Sequence, residues 1–131
     1  MSIKISFPGG VAVAAQVDEF EILTDQPVAD GGQGQAPSPY DFFLSSIGTC
    51  AGYYALQFCR QRDLKTDKLS MTLDIDRDPE TRKLLKVKID IQLPEEFPGK
   101  YQRAIVRATE QCSVKKALSA APEFIVKTVT S

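Results

Sequence analysis

Cys50 and Cys112 are the residues of this sequence best suited to chemistry, and they stand 62 positions apart in a chain without a histidine. The missing histidine removes the usual base partner of a nucleophilic cysteine and the commonest nitrogen ligand for a metal. Thiol redox chemistry survives that cut: one sulfur attacks a substrate and the other resolves the product. The third thiol, Cys59, follows Cys50 by nine residues, about 900° of helix at 100° per residue, so it faces the opposite side and reads as structural or surface. Each cysteine alone also has a plainer reading, since free cysteine packs as a small buried hydrophobe. No two cysteines form a C-x-x-C pair. A metal could draw only on thiolates and carboxylates, and neither a metal nor a cofactor is expected.

These thiols need elements to position them. Ser38 is a good helix N-cap, with Pro39 at the first helical position and Asp41 in the first turn. The helix that follows runs to about Arg62, and Phe43, Ile47, Cys50 and Tyr54 form one apolar stripe along it. It is apolar or small nearly all round until Gln57, as in a buried helix. Ser45, Gly48 and Gly52 share a side on which another backbone can pack close. Cys112 ends a stripe of Tyr101, Ile105 and Ala108 on a helix expected from about Gly99 to Gln111. A second short helix is expected from Ser113, its cap, to before Pro122.

A reactive thiol needs a positive neighbour or a helix start. Cys50 lies too deep in its helix for that helix's dipole to help, whereas Cys112 stands just ahead of the next helix, with Lys115 and Lys116 close behind.

Strands fill the rest. Ile3–Phe7, Val11–Val17 and Phe20–Leu23 are short apolar pieces bounded by turn residues and read as an antiparallel meander. The glycine- and proline-rich stretch from Asp30 to Pro39 is a loop without a phosphate-binding fingerprint. Leu69–Ile75 and Leu85–Leu93 alternate around a turn at Asp76–Lys83 and form a hairpin. Glu123–Val129 is expected to close the chain as a strand. The order is β-β-β-α-β-β-α-α-β, an α+β class.

At 131 residues the chain is expected to form a single domain, residues 1–131. Sixteen basic against seventeen acidic residues leave a net charge of −1, which argues against a nucleic-acid partner, since that would need a basic face. No apolar run approaches bilayer length and no signal peptide opens the sequence, so a cytoplasmic protein with no membrane partner is expected. A helix this apolar in so short a chain exceeds what its strands can cover, and a homodimer would bury the remainder.

Pro37-Ser38-Pro39-Tyr40-Asp41-Phe42-Phe43-Leu44 through Cys50 resembles the proline-led helix start that carries the first cysteine of the OsmC/Ohr family of hydroperoxide-reducing proteins. Cys112-Ser113-Val114 is similar to that family's second-cysteine segment, typically C-P-V ahead of an amphipathic helix. The resemblance implies a divergent OsmC-like member: antiparallel sheets wrapped around long apolar helices in an intertwined homodimer. It implies that Cys50 is the peroxidatic thiol, attacking an organic hydroperoxide to become a sulfenic acid. Cys112 then forms a disulfide with it, and a dithiol reductant such as a lipoylated protein restores both. Phe43, Ile47 and Tyr54 would favour alkyl or lipid peroxides, with Tyr40 and Asp41 joining them as substrate-binding residues.

The family's peroxidases use an arginine from the N-terminal half. Here the first arginine is Arg60, with Lys4 the only earlier cation among lysines and arginines. Either Arg103 or Arg107 is the candidate substitute, with Arg103 pointing away from Cys112, or the chain is a divergent branch. Tyr40 stands where the family's glutamate usually follows the proline. A non-catalytic dimeric module binding a small apolar or thiol-reactive ligand is the alternative function, and cysteines that serve packing alone are the third reading.

Overall fold

A computed structural model of the chain describes residues 1–130. Their contacts divide them into two compact units, Met1–Ser45 and a second that begins at Ser46. The first unit holds the meander: β1 (Lys4–Gly9), β2 (Ala12–Val17) and β3 (Phe20–Thr24), antiparallel in the order β1-β2-β3. Val17 pairs with Phe20, so Asp18 and Glu19 alone make that turn. Asp18 takes a φ of 52°, which a short polar side chain tolerates. Ala12 and Ala14 of β2 are buried, whereas every residue of β1 is exposed.

Asp25 organises the loop that follows. Its buried carboxylate accepts the N–H groups of Gln26 at 2.7 Å, Gln33 at 3.2 Å and Gln35 at 3.3 Å. Gly32 lies so close to Gln26 that an added Cβ would overlap that residue's carbonyl.

The long helix α1 (Pro39–Gln61) starts as the sequence dictates. The Asp41 N–H donates to Ser38 Oγ at 3.2 Å and the Ser38 N–H donates back to Asp41 Oδ2 at 3.1 Å, a reciprocal capping box. From Ser46 on, the chain comprises the rest of α1, the hairpin β4 (Ser70–Arg77) and β5 (Leu84–Gln92), and the helices α2 (Gln102–Thr109) and α3 (Ser113–Ser119). Met71 pairs with Ile91, Leu73 with Ile89 and Ile75 with Val87, which puts the half-buried apolar residues of the hairpin on one face. Gly48 and Gly52 meet that face: a Cβ on Gly48 would stand 3.5 Å from Leu73 Cδ1, and one on Gly52 3.7 Å from Met71 Sδ. The close approach expected at these glycines is therefore to side chains of the hairpin. The core of this unit gathers Ala55, Phe58, Cys59 and Ile105, with Tyr101 edge-on to Phe58 at 5.7 Å between centroids.

Three expectations need correction. The helix expected over Gly99–Gln111 opens with a 3-10 turn at Gly99–Tyr101, and α2 ends at Thr109. The cap of α3 is Cys112 itself, with Ser113 the first helical residue. The closing strand at Glu123–Val129 has no strand pairing, and Phe124, Ile125, Val126 and Val129 are exposed. Strand-forming side chains make a strand only where an edge pairs with them, so propensity alone overstated this segment.

Among the described residues, no helix is long and apolar enough to cross a membrane.

Candidate active site

The second unit brings Cys50 and Cys112 together. Cys50 is half-buried on α1, Cys112 is fully buried where α2 gives way to α3, and both are free thiols. Packing sets this meeting. Ile105 on α2, with no exposed surface, locks that helix against Ala55 and Phe58 of α1. The short turn after Thr109 then delivers Cys112 to α1, where its thiol donates to the Ile47 carbonyl at 3.9 Å. As the cap of α3, its sulfur accepts the Lys115 N–H at 3.5 Å. The Cys112 side chain also favours the charged form of Cys50.

Cys50 has an unusual set of neighbours for a mid-helix thiol. Ser113 Oγ stands 3.5 Å from its Sγ. The backbone N–H of Val114 is the strongest influence on its ionisation, followed by the side chains of Ser113 and Cys112. Together these donors outweigh partial burial and bring the thiol from an ordinary 9.0 down to about 7. A cation is not among the leading contributors. Of the lysines behind Cys112, Lys115 gives its backbone N–H to the Cys112 sulfur and the Lys116 ammonium turns to Gln111 Oε1 at 3.1 Å.

Cys59 behaves oppositely: burial pushes its thiol up, against a smaller opposing pull from Arg62. It packs with Ala55, Phe58 and Ile105, on the structural side of its two expected readings.

The remaining expected site residues fall into separate places. Ile47 is buried and contributes its carbonyl to Cys112. Tyr54 is half-buried and lies against Tyr53 at 5.3 Å between centroids. With Gln57, Arg107 and Gln111 these tyrosines line a cavity of about 460 Å³ between α1 and α2. Arg107 thus faces this cavity. Tyr40, Asp41 and Phe43 belong to the first unit, where Tyr40 and Phe43 pack rings at 5.4 Å and Asp41 serves the capping box. Ser113 and Val114 are the neighbours that sequence reasoning missed. The available signal was their place directly after Cys112, where Ser113 reads as a helix cap.

The profile of the OsmC-like protein family matches residues 32–127, which contain both thiols. Several solved structures share the fold. One is described as an osmotic stress induced and detoxification response protein of Psychrobacter arcticus. It superposes with a TM-score of 0.75 at 24% identity, over 89% of this chain and 87% of that one. An OsmC-like protein of Mycoplasma pneumoniae gives 0.72 at 16% identity, over 92% and 87%. The organic hydroperoxide resistance protein OhrB of Bacillus subtilis gives 0.54 at 16% identity, over 92% and 93%. Among curated proteins, none matches this sequence. With the profile spanning most of the chain and the α+β architecture shared with these structures, the chain belongs to the OsmC-like protein family.

Proposed function

We propose that this protein is a thiol-dependent peroxidase that reduces organic hydroperoxides, with Cys50 attacking and Cys112 resolving. One observation carries the reading: a half-buried Cys50 thiol is drawn down to about 7 by donors at the start of α3, and a second free thiol, Cys112, caps that same helix. The Cys50 thiolate attacks the terminal oxygen of the hydroperoxide. A sulfur–oxygen bond forms as the oxygen–oxygen bond breaks, sulfur gives up two electrons, and the departing alkoxide takes a proton from water to leave as the alcohol. Cys112 then attacks the sulfenic acid, a disulfide forms and water is lost. A dithiol, such as a lipoylated protein, reduces the disulfide and is itself oxidised. The resistance named for the Bacillus subtilis neighbour agrees with this chemistry.

Ile47 and Tyr54, on the same stretch of α1 as Cys50, supply apolar surroundings for an alkyl or lipid chain. The working form is an intertwined homodimer. Support comes from the large apolar side chains that the single chain exposes, Phe7 and Phe20 on the meander, Tyr53 on α1, and Phe124 and Val126 near the C-terminus. A cytoplasmic setting suits thiols that must be returned to the reduced state.

The cavity beside Tyr53 and Tyr54 favours a second reading, a non-catalytic module for a small apolar or thiol-reactive ligand, because its volume falls in the range of small-molecule sites. Turnover separates the two. Cumene hydroperoxide should be consumed in the presence of dihydrolipoate, and Cys50→Ser should abolish consumption. Cys112→Ser should allow one turnover and then stall. An inert wild-type protein would reject the peroxidase and leave the binding module.

A further inference from the structure

The ionisation of Cys50 needs a cause outside its own helix. The residue lies about three turns into α1, beyond the reach of that helix's dipole. The chain has no histidine to pair with it. What the sulfur does meet is the start of α3, where the Val114 backbone N–H acts most strongly on it and the Ser113 side chain comes next. The Cys112 sulfur caps α3 by accepting the Lys115 N–H at 3.5 Å, and the same thiol ties the junction to α1 through the Ile47 carbonyl at 3.9 Å. That anchorage leaves Ser113 Oγ 3.5 Å from Cys50 Sγ.

Between a thiol and a hydroxyl, either atom can donate. Once the thiol proton has left, only the hydroxyl can. The contact therefore strengthens on ionisation and favours the charged form. Ser113 is exposed and heads α3, so its hydroxyl has no core-packing role. The nearby Cys112 thiol can make the same kind of bond, but it must be consumed when the disulfide forms, whereas the serine is not.

We propose that Ser113 is a catalytic residue whose hydroxyl donates to the Cys50 sulfur, holds it as the thiolate, and thereby makes Cys50 the nucleophile among the three cysteines. The catalytic part of this assignment rests on the peroxidase reading; the control of ionisation does not.

The test titrates the Cys50 thiolate by its ultraviolet absorbance, with Cys50→Ser as the baseline, in wild type and in Ser113→Ala. Removing one donor to a charged sulfur should raise the midpoint by about one pH unit. Ser113→Thr and Ser113→Val form a second pair of the same shape that differs in the hydroxyl. Threonine should keep the wild-type midpoint and valine should share the rise seen with alanine. Coincident midpoints across wild type, alanine, threonine and valine would overturn the assignment.

Cumene hydroperoxide added to the same proteins separates this inference from the reading beneath it. Shifted midpoints with a Cys50 that stays unoxidised would uphold the control of ionisation by Ser113 and remove peroxidase activity. Oxidation of Cys50 at one common rate in the threonine and valine variants, with coincident midpoints, would keep the peroxidase and discard Ser113.

Discussion

A thiol lowered from 9.0 to about 7 should announce itself in the pH dependence of its alkylation. At pH 7 half of Cys50 would be ionised, against about 1% of an ordinary thiol, a gain of roughly fiftyfold in nucleophile. Part of that gain is lost, because a less basic thiolate is intrinsically slower. With a Brønsted slope of about 0.4–0.5, two pH units cost about six- to tenfold. Cys50 should therefore react with iodoacetamide some five- to eightfold faster than an ordinary exposed thiol at pH 7, by about the ratio of those two factors. The shape of the profile is the sharper test. Between about pH 6 and pH 8 the rate should climb roughly tenfold and then level off, whereas an ordinary thiol would climb about ninetyfold and keep rising. Quenched samples digested and read by peptide mass would follow the Cys50 adduct separately from Cys59 and Cys112. A Cys50 rate that still rises tenfold per unit through pH 8 would refute the claim that donors from Ser113 and Val114 stabilise the thiolate.

Other residues give independent predictions. Cys59, raised by burial, should resist alkylation in the folded protein and react only after denaturant is added, as peptide mapping would show. Ile105→Ala should cost about 2–5 kcal/mol in urea unfolding, because Ile105 has no exposed surface and ties α2 to α1. A loss well under 1 kcal/mol would mean that the junction bearing Cys112 is held some other way. Asp25 has its pKa lowered, chiefly by the Gln26 N–H, so its contribution is present above the ordinary carboxylate range and fades as pH falls through the lowered value. Asp25→Ala should accordingly remove hydrogen-exchange protection from Gln33 and Gln35 at neutral pH, and acidification of the wild type should do the same.

The elements with strong local signals were legible from residue order. Alternation around Asp76–Lys83 located the hairpin, and Ser38, Pro39 and Asp41 located the start of α1, because caps and periods are written within a few neighbouring positions. The three short strands of the meander followed from their turns for the same reason. The closing strand failed because its partner edge is not a local property. At the candidate site, periodicity placed Cys50 and Cys112 on apolar stripes but could not show that Cys50 is half-exposed and Cys112 fully buried. The Ser113 contact spans 63 positions of sequence and depends on a junction that a continuous helix to Gln111 would have placed differently. The start of the next helix was expected to act on Cys112, whereas the thiol it acts on is Cys50, through the backbone N–H of Val114 and, more weakly, that of Ser113.

The central claim is that Cys50 and Cys112 act as a peroxidatic pair, and disulfide mapping tests it most directly. The reduced protein is treated with one equivalent of cumene hydroperoxide, quenched at short times, and examined by intact mass and peptide mapping. The account predicts rapid appearance of a Cys50–Cys112 disulfide that is lost in Cys50→Ser. Thiols that remain unmodified after many minutes would contradict it.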